Sequence, residues 1–176
     1  MSDTLTDQFK AGFRRYPTGV AIVAASTETG PVGATVSSVA SVSANPPMLS
    51  FSVSRSGRSG PALTGSDRLA VHVLTESQAD VAAAFADRTA PRFTVAQGWT
   101  LPQGEPPVLD DAAASFYGQV VRVIPAGEAW LVLLEIDAVG LDETAEPLLH
   151  HDRHYWSLGP SASTVPLDRI LPEKAS

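Results

Sequence analysis

Cysteine is absent from the 176-residue chain. That excludes disulfides, thiolate nucleophiles and cysteine-ligated metals, and it fits a reducing cytoplasm. Long apolar runs are missing too. Trp130 to Ile136 is interrupted by Glu135, so no stretch approaches the length that spans a bilayer. The N-terminal MSDTLTDQ is acidic and polar, unlike a secretory signal. Positive charge is scarce: 12 Lys and Arg face 19 Asp and Glu, a net charge of −7. Nucleic-acid binding needs clustered cations to neutralise phosphate, which argues against that class. No G-x-G-x-x-G follows a strand pattern, and neither a G-x-x-x-x-G-K-[ST] loop nor a G-x-S-x-G elbow occurs. A Rossmann sheet, a P-loop NTPase and an α/β-hydrolase are thereby set aside. The remaining composition, 44% hydrophobic and 18% charged, suits one globular domain with a single core.

What the chain does have is a stretch of small side chains and hydroxyls at 32–59. Polar and apolar residues alternate from Ala34 to Ser43 and again from Met48 to Ser54, which predicts two half-buried strands. Asn45-Pro46-Pro47 removes two amide donors and separates them. The second run ends in a loop, Arg55-Ser56-Gly57-Arg58-Ser59. Two readings stand. The stretch is a cradle for a nucleotide or flavin phosphate, where small residues let a flat body lie close and Arg55 and Arg58 receive its charge. Or it is a Ser/Thr-rich antiparallel sheet with a solvated loop.

The rest of the chain is read in the same way. Thr4 to Arg15 predicts an amphipathic helix capped by Thr4, with Phe9 and Phe13 on one face and Pro17 closing it. Gly19 to Ser26 predicts a buried strand, joined through the Glu28–Pro31 turn to the 32–59 stretch. Gly60 to Leu63 predicts one helical turn, and Leu69 to Leu74 a strand. Thr75-Glu76-Ser77-Gln78 has capping-box spacing and opens a helix to about Ala86, with Val81 and Phe85 on one face. Prolines and glycines make 88–111 irregular, a segment long enough to cover a pocket. Ser115–Ile124 and Ala129–Leu141 predict the longest strands, flanking a turn at 125–128; His154–Leu158 predicts the last. Residues 1–160 form the expected domain. Residues 161–176 form a tail whose Ile170-Leu171 patch either docks on a partner subunit or frays. Many strands with short helices predict a mainly β fold built on an antiparallel barrel.

The order of motifs resembles the flavin reductase-like, FMN-binding split-barrel family. The resemblance rests on Phe9 with Tyr16-Pro17-Thr18-Gly19-Val20, Gly33-Ala34-Thr35-Val36-Ser37-Ser38, Val42-Ser43-Ala44-Asn45-Pro46-Pro47, Ala84-Phe85-Ala86 with Arg92-Phe93, and Pro147-Leu148-Leu149 with Tyr155. These pieces cover about residues 9–158. The resemblance implies a Greek-key-like antiparallel split barrel, forming a homodimer that binds FMN, or FAD, near the subunit interface. It implies NADH or NADPH as hydride donor, and a partner monooxygenase that uses the reduced flavin. Carried over by position, Ala34, Thr35, Val36, Ser37 and Ser38 line the isoalloxazine and ribityl chain. Ser52, Val53, Ser54, Arg55 and Ser59 hold the phosphate side. Arg92 and Phe93 close over the flavin's other end, with Tyr155 nearby.

One departure bears on activity. Where the family commonly has Gly-Asp-His, this chain has Gly127-Glu128-Ala129. Glu128, Ala129 and His154 are therefore the expected nicotinamide side, with the histidine missing. This departure keeps a second function open, an FMN-binding carrier or sensor without turnover. Trp130 is read as a barrel-wall aromatic. His72, alternating with Val71 and Val73 where the family often has asparagine, is read as a half-exposed strand residue. His150, His151 and His154 fall between Pro147 and a strand rather than on one helical face, so no metal site is expected. No side chain is assigned as a catalytic acid or base, since the flavin supplies the chemistry.

Overall fold

A computed structural model describes residues 4–158; the expected tail lies outside the described residues. Helix α1 (Leu5–Phe13) is capped by Thr4, whose hydroxyl accepts from the Asp7 amide. Then come β1 (Thr18–Gly19), β2 (Ala21–Thr27), β3 (Gly30–Val36), β4 (Ala40–Ala44) and β5 (Pro47–Ser54). Helix α2 (Gly60–Thr64), β6 (Arg68–Val73) and α3 (Ala79–Ala86) follow. The chain ends with β7 (Trp99–Thr100), β8 (Val108–Leu109), β9 (Ala114–Ala126), β10 (Ala129–Leu141), β11 (Leu148–His151) and β12 (His154–Ser157).

Seven strands make one antiparallel sheet in the order β3-β2-β6-β9-β10-β5-β4. The sheet curls until β3, at one edge, faces β5 near the other. Side chains rather than a ladder bridge the seam: the Ser38 hydroxyl accepts from the Ser52 amide at 2.8 Å and donates to the Ser52 carbonyl at 3.2 Å. This is a split barrel. The alternation at 34–43 therefore covers two strands, not one. β3 and β4 lie at opposite edges of the sheet, so the chain must leave the ladder at Ser37–Val39 to cross the split.

Strand β2 is buried on both faces, as its apolar run requires. Ala21, Val23 and Ala25 point into the barrel with Phe51, Leu69, Val71, Val132 and Leu134. Val20, Ile22 and Ala24 point outward under α3 and the 88–111 segment, with Phe85, Trp99 and Leu109. The predicted strand 19–26 breaks at Val20, which bonds to Leu148 on one side and Leu74 on the other. That switch hands β1 to a small second sheet with β11 and β12. Strand β11, Leu148–His151, escaped the sequence reading because Leu-Leu-His-His has no period-two pattern.

His72 is a correction. It is fully buried rather than half-exposed, because the 88–111 segment folds over it. Its Nε2 is 2.9 Å from the Pro107 carbonyl, which only accepts, so Nε2 donates and Nδ1 accepts from the Ser115 hydroxyl at 2.8 Å. Burial pushes its pKa down to about 4, with the Pro107 bond opposing. Gln78, the far end of the capping box, also donates to the Asp110 carbonyl at 2.8 Å. The irregular segment is thus pinned to the barrel at two points.

Candidate functional site

Along the split runs a groove of about 410 Å³, walled by β3, the end of β5, the β5–α2 loop and the end of α3. Its β3 wall follows from strand alternation. Val23 and Ala34 are register partners, while Val20, just before β2, accepts from the Leu74 amide beyond β6, so Ile22 and Ala24 turn toward β6 in step with it. Ala34 and Val36 are thus spent on β2, leaving Gly33 and Thr35 with their N–H and C=O groups aimed into the groove. The Gly33 carbonyl confirms the direction by accepting from Ser59 Oγ at 2.6 Å and Arg92 Nη1 at 3.3 Å. The Thr35 hydroxyl donates across to the Ala82 carbonyl at 2.7 Å and ties β3 to α3.

The walls stay close because two glycines are obligatory. A Cβ on Gly33 would stand 2.8 Å from Phe85 Cε1 and 3.0 Å from Phe93 Cζ. On Gly60 it would stand 2.1 Å from the Ser54 carbonyl oxygen, a backbone atom that cannot give way.

Three arginines gather at one end, Arg58, Arg88 and Arg92. Arg92 is structural in its bonding. It donates to the carbonyls of Ala84, Asp87 and Gly33, clamping the C-terminal end of α3 to β3. Its pKa lies below the ordinary value, first through burial and then through the charge of Arg58; Asp87 opposes this with a smaller effect. Arg58 is exposed and makes one bond, from Nη1 to the Arg88 carbonyl at 3.2 Å. Two cations held this close are a place where a phosphate lowers the energy.

The structure gathers most, not all, of the expected residues. Ala34, Thr35, Val36, Ser37, Ser38, Ser52, Val53, Ser54, Ser59 and Arg92 line the groove. Arg55 does not. Its guanidinium stacks over Trp130, 4.5 Å from the ring centroid, and donates to the Gly127 carbonyl at 3.2 Å. Three residues on, Arg58 takes the groove position. Phe93, left-handed at φ 57°, packs on Phe85 and Trp99 and lines an adjoining cavity of about 310 Å³ that shares Gly33, Arg58, Ser59 and Arg92 with the groove. Tyr155 lines a small neighbouring cavity of about 160 Å³ that shares Thr35, Val36, Ser37 and Ala86 with the groove. Glu128 and Ala129 sit on the β9–β10 turn held by Arg55, and reach the site only through Ala129, the register partner of Ser54. His154 bonds the Asp152 carbonyl at its own turn, away from the groove. Gly33, Gly57, Gly60, Phe85, Ala86 and Arg88 are groove residues that the sequence reading did not place. Gly33 opens the quoted Gly33–Ser38 motif, and a glycine inside a strand, a mark of close backbone approach, was the available signal.

The groove suits a flavin mononucleotide on these grounds. It has a slot whose walls approach closely at two glycines, edge amides of β3 for ring carbonyls and nitrogens, and the exposed Arg58 guanidinium at one end. Among the described residues no group of three or more His, Asp or Glu converges as a metal site would require, and no helix is long and apolar enough to cross a membrane.

Comparison with known proteins points the same way. The flavin reductase like domain family matches residues 13–159. The NADH:FMN oxidoreductase of Rhodococcus erythropolis is 34% identical over 152 residues, 84% of this chain and 79% of that protein. The crystal structure of a flavin reductase domain protein from Arthrobacter sp. FB24 superposes with a TM-score of 0.82 at 33% identity, covering 92% of this chain and 100% of that one. The styrene monooxygenase flavin reductase of Pseudomonas putida S12 gives a TM-score of 0.74 at 30% identity, covering 90% and 98%.

Proposed function

The chain belongs to the flavin reductase-like family, and from that premise we propose how its groove serves the reaction. The protein is an NAD(P)H:flavin oxidoreductase acting on FMN or FAD with NADH as hydride donor. We assign it as the reductase component of a two-component flavin-dependent monooxygenase, a reading supported by its likeness to the styrene monooxygenase flavin reductase. When bound, the flavin supplies the hydride-accepting ring. The residues do the rest. The Gly33–Thr35 edge would receive the polar rim of the ring system, Ser37, Ser38 and Ser52 the ribityl chain, and Arg58 with Arg88 the phosphate. Among the described residues arginine is the only ionisable type lining the groove, so their contribution is position and charge rather than proton transfer.

The single observation that supports this placement most is the open edge of β3 facing two cations across a seam closed by serines. We further propose a homodimer, supported by Val139 and Leu141, which share one face of β10 and stay exposed. The lack of cysteine supports a cytoplasmic setting.

The test is anaerobic. Protein and FMN are mixed, NADH is added, and the visible absorbance of the flavin is followed against a protein-free control. Catalytic bleaching is expected. A shifted spectrum that stays oxidised with both NADH and NADPH would instead assign a carrier or sensor, the reading that Ala129 favours. Light scattering coupled to gel filtration reads the dimer, and a monomer at micromolar concentration would remove that part.

A further inference from the structure

The resemblance places Ser59 on the phosphate side, yet its hydroxyl is already engaged. Ser59 Oγ donates to the Gly33 carbonyl at 2.6 Å, and the residue is only 8% exposed. A hydroxyl carries one proton. With that proton on Gly33, Ser59 has only lone pairs left, and a phosphate group brings acceptor oxygens of its own.

The surroundings keep this bond in place. A Cβ on Gly60, the next residue, would stand 2.1 Å from the Ser54 carbonyl oxygen, so the backbone beside Ser59 is pressed against the end of β5. The hydroxyl does not serve its own helix either. Ser59 is the N-cap of α2, where a serine side chain ordinarily accepts from an amide of the first turn, and it makes no such bond. A buried serine leaves its helix uncapped and bonds a strand residue 26 positions back along the chain.

The acceptor lies on the groove wall. Gly33 turns its N–H and C=O to the open edge of β3. Arg92 Nη1 donates to the same carbonyl at 3.3 Å. The two donors together occupy both lone pairs of that oxygen. This end of the rim therefore presents the Gly33 amide without a competing acceptor beside it. At the next outward-facing residue the Thr35 hydroxyl is spent in a similar way, on the Ala82 carbonyl at 2.7 Å.

We propose that Ser59 is a positioning residue for the flavin ring and not a phosphate ligand. Through the Gly33 carbonyl it fixes the β3 edge against the β5–α2 loop and leaves that part of the rim a donor, matched to the acceptor atoms of the ring. The proposal rests on the flavin reductase reading. It leaves the phosphate to Arg58 and Arg88 at the arginine end.

The test titrates FMN and riboflavin against the parent, Ser59→Ala and Ser59→Thr, which keeps the hydroxyl. In Ser59→Ala the Gly33 carbonyl retains Arg92, so no buried acceptor is orphaned and the Tm should stay close to that of the parent. Both ligands should bind about fivefold more weakly, by the same factor. The visible absorption bands of the bound flavin should move toward those of flavin in water, and Ser59→Thr should restore affinity and spectrum. Ser59→Cys, similar in shape with a weak donor, carries the same comparison if the alanine variant does not fold. A loss confined to FMN would make Ser59 a phosphate ligand and overturn the proposal. Unchanged affinity for both ligands overturns it too, as do equal losses with an unmoved spectrum, which indicate packing alone. A parent that binds neither ligand removes the flavin reading and the proposal with it, whereas the other outcomes, read on a parent that binds flavin, bear on Ser59 alone.

Discussion

Replacing Arg58 by glutamine should separate FMN from riboflavin. The two ligands differ by one phosphate, and the structure gives that phosphate a specific neighbour. Arg58 lines the groove with one bond of its own, from Nη1 to the Arg88 carbonyl at 3.2 Å. The substitution removes the positive charge and the guanidinium donors. A charge-assisted hydrogen bond contributes about 1.5–3 kcal/mol, and the exposure of Arg58 places it at the lower end. At about 1.4 kcal/mol per decade, the Kd for FMN should rise by about tenfold. Riboflavin should move by less than about twofold. The assay is quenching of flavin fluorescence, repeated at low and high salt, and the selective loss should shrink as salt screens it. Arg55→Gln is the control. Its guanidinium stacks on Trp130 and bonds Gly127 outside the groove, so it should weaken both ligands alike or neither. Equal losses for FMN and riboflavin in Arg58→Gln, or a selective loss in Arg55→Gln larger than in Arg58→Gln, would refute the assignment.

Three other outcomes follow from the same geometry. Stability should fall with acid because the pKa of His72 drops from 6.5 in the unfolded chain to about 4 in the fold. The contribution is complete above pH 6.5 and lost as pH falls toward 4, about 2 kcal/mol between pH 7.5 and 5. Urea unfolding at those two pH values measures it, and a His72→Asn variant should show a smaller difference. Gly60→Ala should fail to fold normally or lose several degrees of Tm along with flavin binding, since its Cβ would meet the Ser54 carbonyl at 2.1 Å; a parent-like melt would contradict the packing at the β5–α2 loop. Asp137→Asn should cost under about 1 kcal/mol despite two bonds from Arg68 at 2.6 and 3.1 Å, because both partners are partly solvated; a loss above about 2 kcal/mol by chemical denaturation would show a stronger pair.

The sequence by itself determined the class of fold, most element positions and the family. Period-two runs, a capping box at Thr75–Gln78 and prolines at strand breaks act through neighbours a few residues away, so they are legible without coordinates. The groove-lining stretch was legible for the same reason, as two alternating runs of small residues ending in a loop with two arginines. What local rules could not reach was direction. Arg55 and Arg58 look alike in sequence, and the choice between them is made by Trp130 and Gly127, more than seventy residues away, which draw Arg55 out of the groove. His72 alternates like a surface residue, and only the fold of 88–111 lays Pro107 over it and shifts its pKa. One unbroken alternation at 34–43 becomes two strands because β3 and β4 must lie at opposite edges of a curled sheet. Tertiary structure decided these points because each depends on contacts distant in sequence, and only closure of the barrel brings those contacts together.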